Sequence, residues 1–260
     1  MKLIKQIPNG LTLTNLTLGI LSIIYIMEST ELVEVRNLVS NEYHIIPNPI
    51  IWNNLAMASF LIIAAGIIDF LDGFVARLLN AQSEIGGQLD SLADLVTFCV
   101  APSLIMYRLL GEAYQLSGNG LEGNTILLWP AFFIAICGCI RLAKFNISTD
   151  QTIEFKGLPT PSAAFFILAL PLILANDVFN LNNIILNPYV LYAICIGLGL
   201  VMVGKFPLMA LKFKSFNFKD NRDKFIFLGA SLIGLITLQW LAIPIIIMIY
   251  LTSTFWMKRS

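Results

Sequence analysis

The sequence predicts an all-α integral membrane protein with about eight transmembrane helices and both termini on the cytoplasmic side. Three observations carry that expectation. Hydrophobic residues make up 57% of the 260-residue chain and charged residues only 12%, about half the charged fraction of a soluble domain. Mean hydropathy is +0.80. The apolar residues also gather in runs of roughly 20, the length a helix needs to cross a hydrocarbon core about 30 Å thick. Lys plus Arg equals Asp plus Glu at 16 each, so net charge selects neither an acidic nor a basic partner.

Taken in order, the runs near 11–27, 50–69, 92–110, 125–143, 160–176 and 185–204 each suit one crossing. The last run, 224–257, is too long for one. Gln239 and Trp240 lie near its middle and Pro244 follows, which splits it into 224–238 and 242–257; six crossings are the alternative if the end segments do not cross fully. Orientation follows from the cations. With the N-terminus inside, 14 of the 16 Lys and Arg fall inside, and only Arg36 and Arg108 fall outside. An even number of crossings then returns Lys258 and Arg259 to the inside as well. The opening MKLIKQIPNG is followed by no small-residue cleavage site of the signal-peptide kind. Cys99, Cys137, Cys139 and Cys195 all fall in apolar runs without a C-x-x-C pair, and read as buried membrane thiols.

Against this background, the stretch DFLDGFVARLLNAQSEIGGQLDSLAD (69–94) stands out. It places Asp69 and Asp72 at the end of the second run and Asp90 and Asp94 at the start of the third. The spacings i, i+3 and i, i+4 put each pair on one helix face. Four carboxylates cannot remain ionised together without counter-charge. Arg77 is the one cation nearby, so divalent metal is the natural partner. Oxygen-only ligation suits Mg²⁺, Mn²⁺ or Ca²⁺ and argues against zinc. Gly73, Gly86 and Gly87 would let helices or a ligand approach closely.

Other chemistries are weaker fits. An ion-coupled transporter would place its carboxylates at the bilayer midplane in broken helices, whereas these lie at helix ends on the cytoplasmic side. A salt-bridge cluster would need more cations. The single histidine, His44, lies in the first outside loop, so no Ser-His or Cys-His pair is available. An aspartate is then the general base within reach. Paired carboxylates holding two metals form a typical clamp for phosphoryl or phosphodiester transfer.

Written as D-x-x-D-G-x-x-A-R-x8-G-x3-D-x3-D, the stretch resembles the signature of the CDP-alcohol phosphatidyltransferases without a departure. These are membrane enzymes that move a phosphatidyl or similar group from a CDP-linked donor to an alcohol. The resemblance implies that Asp69, Asp72 and Asp90 bind two divalent ions, Mg²⁺ or Mn²⁺. Asp94 would complete the metal site and take the proton of the attacking hydroxyl. Gly73, Arg77 and Ser83 would hold the CDP portion of the donor, with Ala76 and Gly86 small where the nucleotide packs. Asn9, Thr12 and Asn15 in IPNGLTLTN resemble the start of many such enzymes, where the first span borders the nucleotide; Pro8-Asn9 also suits an ordinary helix start.

Three more segments point to the acceptor. RLAKFN (Arg141 to Asn146), FKGLPTPSAA (Phe155 to Ala164) and VAPSLIMY (Val100 to Tyr107) resemble the branch of the family that uses CDP-diacylglycerol and L-serine. Arg141, Lys144, Asn146 and Lys156 would then hold the serine carboxylate or a donor phosphate; by the orientation rule alone, Arg141 and Lys144 are positive-inside anchors. Glycerol 3-phosphate or an inositol phosphate is the alternative acceptor, and either would demand more cations. Residues 1–204 would form the catalytic core. Residues 205–260 would form a basic cytoplasmic loop, suited to anionic lipid, and the C-terminal hairpin. The expected location is the cytoplasmic membrane, with the site facing the cytoplasm. The resemblance is also compatible with a homodimer, and no surface of the sequence marks an interface.

Overall fold

The computed structural model describes residues 6–29, 33–36, 43–46, 50–81, 83–117, 124–147, 157–176, 178–204 and 222–256. α1 (Ile7–Glu28) leads through a two-stranded ribbon, β1 (Val33–Arg36) and β2 (Tyr43–Ile46), to α2 (Ile50–Leu78). A continuous helical rod follows, made of α3 (Glu84–Asp94), a π-helical turn (Leu95–Val100) and α4 (Ala101–Leu116). A 3₁₀ stretch (Thr125–Phe132) runs into α5 (Phe133–Ile147). Then come α6 (Thr160–Asn176), the single turn α7 (Asn182–Ile185), α8 (Pro188–Val203), α9 (Arg222–Leu238), a 3₁₀ turn (Gln239–Leu241) and α10 (Ala242–Trp256). The antiparallel ribbon, which pairs Val35 with His44, departs from the all-α expectation, but it is confined to the link between α1 and α2.

Among the described residues, five helical stretches are long and apolar enough to cross a membrane, namely 7–28, 51–78, 84–116, 125–147 and 225–252, and α6 and α8 are shorter apolar helices. The fifth is not one rod. Gln239 sits at φ +51°, a conformation that interrupts helix and that non-glycine residues rarely adopt. The ring centroids of Phe227 and Tyr250 lie 6.2 Å apart. In a straight helix, 23 residues would separate them by about 35 Å. The chain therefore folds back at Gln239, as expected from Gln239, Trp240 and Pro244. The turn packs at the C-terminal end of α6, beside Leu172, Ile173 and Asn176, and Trp240 meets Phe60 of α2 edge-on at 5.7 Å.

Helix faces are sorted with the bilayer as solvent. On α1 the buried positions are Pro8, Thr12, Asn15, Gly19, Ser22 and Ile26, a stripe at spacings of three and four. Leu13, Ile20, Leu21, Ile24 and Met27 face outward. A water-soluble helix would show the reverse. α2 buries Leu55, Ala58, Ile62 and Ala65 with the same period, and Asp69 and Asp72 continue that stripe into the bundle.

Pair contacts set the directions. Asn15 meets Asp69 and Thr12 meets Asp72, so α1 and α2 run antiparallel. Asn9 lies against Gly86, and Gly19 against Thr97. At the far end of α1, the Arg108 guanidinium donates to the Ser29 carbonyl at 2.7 Å and pairs with Glu112 at 3.5 Å. The 84–116 rod therefore runs parallel to α1 along its whole length. Close packing uses absent side chains: a Cβ on Gly138 would strike Cys99, and one on Gly199 would strike Phe133. Also at the end of the bundle away from the aspartates, Tyr192 ties α8 to the rod and to the 3₁₀ stretch, accepting from Tyr114 at 2.7 Å and donating to the Leu127 carbonyl at 2.6 Å.

At the aspartate end, Leu158 N donates to the Val201 carbonyl at 3.1 Å. Gly157 takes φ +79°, and a Cβ there would press on the backbone oxygens of Met202 and Gly204. The GLPTP segment is thus stapled to the end of α8. Gly157→Ala is expected to destabilise the protein by about 1–3 kcal/mol through strained φ and backbone overlap, read as a lower melting temperature in detergent.

Candidate active site

Three helices bring the polar residues together at one end of the bundle. The carboxylates of Asp69, Asp72 and Asp90 each offer an oxygen, and these lie within 4.8 Å of one another. Asp72 is almost wholly buried and accepts a 2.8 Å hydrogen bond from the Thr12 hydroxyl. Asn15, with no exposed surface, donates through Nδ2 to Asp69 Oδ1 and to Asp94 Oδ1, both at 3.4 Å. Asp94 adjoins the three-carboxylate group, in direct side-chain contact with Asp69 and also bridged to it by Asn15. The three aspartates expected to hold metal converge, and Asp94, expected to complete the site, stands next to Asp69.

The aspartates do not sit at helix ends. α2 continues for nine residues past Asp69, to Leu78, and α3 begins six residues before Asp90, at Glu84. Hydropathy reports where a helix leaves hydrocarbon, whereas backbone hydrogen bonding extends it further. Ser83 starts α3 early, as its N-cap: its Oγ accepts from Gly86 N at 3.0 Å. That contact gives Ser83 a local structural role besides any contact with a nucleotide.

The remaining expected residues divide. A Cβ on Gly86 would lie 3.1 Å from Asn9 Oδ1, so Asn9 closes over the start of α3. Gly73 has nothing within 4 Å of where a Cβ would stand, which leaves room beside Asp72. Ala76 is half-buried one turn further on. Arg77 is exposed and its Nε donates to its own helix at the Gly73 carbonyl, 3.0 Å away. Arg141 lies close enough to Asp94 and Cys99 to interact electrostatically, and its buried Nε has no hydrogen-bond partner among the described residues. Asn146 accepts at Oδ1 from the Ser91 hydroxyl at 3.0 Å, which fastens the end of α5 to α3. Lys144 is exposed. Lys156 lies outside the described residues. Cys139 is exposed, unlike Cys99, Cys137 and Cys195, because two residues turn a helix by about 200°.

Two participants carried no sequence signal of their own. Ser91 could have been found one residue after Asp90 on the site-bearing helix. Thr97 could not; it lies in the π-helical turn and its hydroxyl donates to the Asn15 carbonyl at 3.4 Å. π-helical turns of this kind are frequent at functional sites, and their position is not encoded in hydrophobic periodicity.

The donor set fits a hard divalent cation. It is all oxygen, three carboxylates converge, and among the described residues no lysine or arginine forms an ion pair with any of the four aspartates. Oxygen ligands of this kind select Mg²⁺, Mn²⁺ or Ca²⁺.

The fold and the site define a helical membrane protein with a cluster of carboxylates, at one end of its bundle, that could hold a metal ion. The chain is a member of the CDP-alcohol phosphatidyltransferase family, whose sequence profile matches residues 5–203. A Helicobacter pylori protein is 33% identical over 202 residues, which cover 77% of this chain and 71% of the relative. A Bacillus subtilis protein is 35% identical over 156 residues, covering 60% and 76% respectively. A Saccharomyces cerevisiae protein is 38% identical over 122 residues, covering 44% and 40%. All three are named CDP-diacylglycerol–serine O-phosphatidyltransferase.

Proposed function

We propose that the protein transfers the phosphatidyl group of CDP-diacylglycerol to the hydroxyl of L-serine, giving phosphatidylserine and CMP. The observation that carries the chemistry is the convergence of Asp69, Asp72 and Asp90 with Asp94 joined beside them. The names of the relatives support serine as the acceptor.

Asp69, Asp72 and Asp90 would hold two divalent cations, with Asp94 at the margin of the site. Once bound, Mg²⁺ or Mn²⁺ supplies positive charge against the donor pyrophosphate and the departing CMP. Asp94 receives the proton of the serine hydroxyl. The serine oxygen forms a bond to the phosphorus that carries diacylglycerol, and the bond from that phosphorus to the bridging oxygen breaks, with its electron pair leaving on CMP. No positioned nucleophile precedes serine, so direct displacement is the simpler path. Arg141, beside Asp94 with Nε free, suits the serine carboxylate. The open space at Gly73 and the small Ala76 and Gly86 suit the CDP moiety, with Asn9 and Ser83 at its edge. Asn146, spent on Ser91, shapes this wall of the site.

In this reading residues 1–204 form the catalytic core and 205–260 a basic loop and a membrane hairpin. Eight crossings would put both termini on the aspartate side, a reading supported by the Gln239 turn beside Asn176 at the other end of α6. The positive-inside distribution supports a cytoplasmic site in the cytoplasmic membrane.

The test is CMP release by purified protein in detergent with CDP-diacylglycerol and Mn²⁺ or Mg²⁺, comparing serine, glycerol 3-phosphate, an inositol phosphate and no acceptor. Release is expected only with serine and only with metal. Release with another acceptor keeps the chemistry and replaces the substrate. Absence of release from folded, metal-binding protein rejects the transferase and favours an ion-coupled transporter.

A further inference from the structure

We infer that Asn15 is a positioning residue whose amide nitrogen holds Asp94 in register with Asp69. The inference rests on the proposed transfer reaction and assigns Asn15 a role different from the nucleotide contact that the family resemblance implies.

Asn15 has no exposed surface, and its amide nitrogen is already spent on two carboxylates from two different helices. The amide must face them with nitrogen, because an amide oxygen in that place would meet two acceptors. Asp94 needs such a tie. The π-helical turn begins at the next residue, Leu95; an i→i+5 turn inserts residue length and re-aims the side chains around it. The direction of Asp94 therefore follows from what grips it, the Asn15 amide together with the Asp69 carboxyl, and not from α3 alone. The grip extends along α1: the Thr97 hydroxyl donates to the Asn15 carbonyl, and Gly19, one turn on, lies so close to Thr97 that any Cβ would collide with its hydroxyl. Asn15 Oδ1 has no partner among the described residues, an unfavourable state for a buried acceptor. A residue needed only for packing would not carry it.

The test compares wild type with Asn15→Leu, which has similar volume and no donor, and with Asn15→Gln, which restores the amide on a longer arm. Steady-state rates, CDP affinity by calorimetry with Mn²⁺, and the electron paramagnetic resonance spectrum of bound Mn²⁺ are read for each. Loss of two hydrogen bonds to charged groups predicts that kcat for Asn15→Leu falls roughly 30-fold or more. KM for CDP-diacylglycerol and CDP affinity should stay within roughly threefold, the Mn²⁺ spectrum should change, and Asn15→Gln should recover part of kcat. A tenfold rise in KM with kcat retained would overturn the inference in favour of direct donor contact, and a kcat within threefold of wild type would overturn it outright. Should Asn15→Leu lose its melting transition, Asn15→Ser, whose hydroxyl is too short to span both carboxylates, is judged by the same criteria. Should wild type release no CMP, the proposed reaction fails separately. The Mn²⁺ spectra, which need no turnover, then decide the inference: identical spectra in wild type and Asn15→Leu overturn it.

Discussion

Asp94→Asn is expected to reduce CMP release by about 10²–10⁴-fold, the contribution of a positioned general base. The substitution preserves shape and removes the proton acceptor. Asp94 stands outside the group formed by Asp69, Asp72 and Asp90, so Mn²⁺ affinity should change far less than turnover. The new amide still accepts from Asn15 Nδ2 through its oxygen, and a mismatch arises only where its nitrogen faces the neighbouring donor. Thermal melting of the variant accounts for that contribution. If Asp94→Asn keeps a tenth or more of wild-type kcat, another group takes the proton.

Asp90→Asn is expected to act the other way round. It removes one of three convergent carboxylates and weakens divalent-cation binding by at least the roughly 10–100-fold seen when outer partners of metal ligands are lost. Activity should vanish at metal concentrations that saturate wild type and return in part when Mn²⁺ is raised. Calorimetric titration of Mn²⁺ and the metal dependence of CMP release together check this. An unchanged metal dependence would remove Asp90 from the ligand set. The pair of variants separates two roles that the sequence motif presents as four similar aspartates.

Much of this was readable along the chain. Low charge and runs of about 20 apolar residues specify a helical membrane protein because a bilayer leaves backbone groups no partner outside helix. The i, i+3 spacing of Asp69 and Asp72 and the i, i+4 spacing of Asp90 and Asp94 are visible in sequence and place each pair on one helix face. The break at Gln239 is also local, foreshadowed by polar Gln239, Trp240 and Pro244. The true reach of the helices was less legible. Asp69 and Asp90 lie well inside α2 and α3 because helical hydrogen bonding outlasts the apolar run, and the cap at Ser83 shows in sequence only as one serine among many polar residues.

Composition and the spacing of the four aspartates are properties of neighbours within a few turns, and the sequence alone determined the helical membrane class and marked the three aspartates that converge. Partnership across helices is different. That Asn15 spans Asp69 and Asp94, that Thr12 serves Asp72, that Arg141 lies near Asp94, and that Asn146 is taken by Ser91 all depend on how far each helix is rotated and slid against the next. Glycines 19, 138 and 199 set those offsets by admitting Thr97, Cys99 and Phe133 where any side chain would block them. Contacts between residues 50 to 80 positions apart are decided by close packing of whole helices, and only the tertiary structure contains that information.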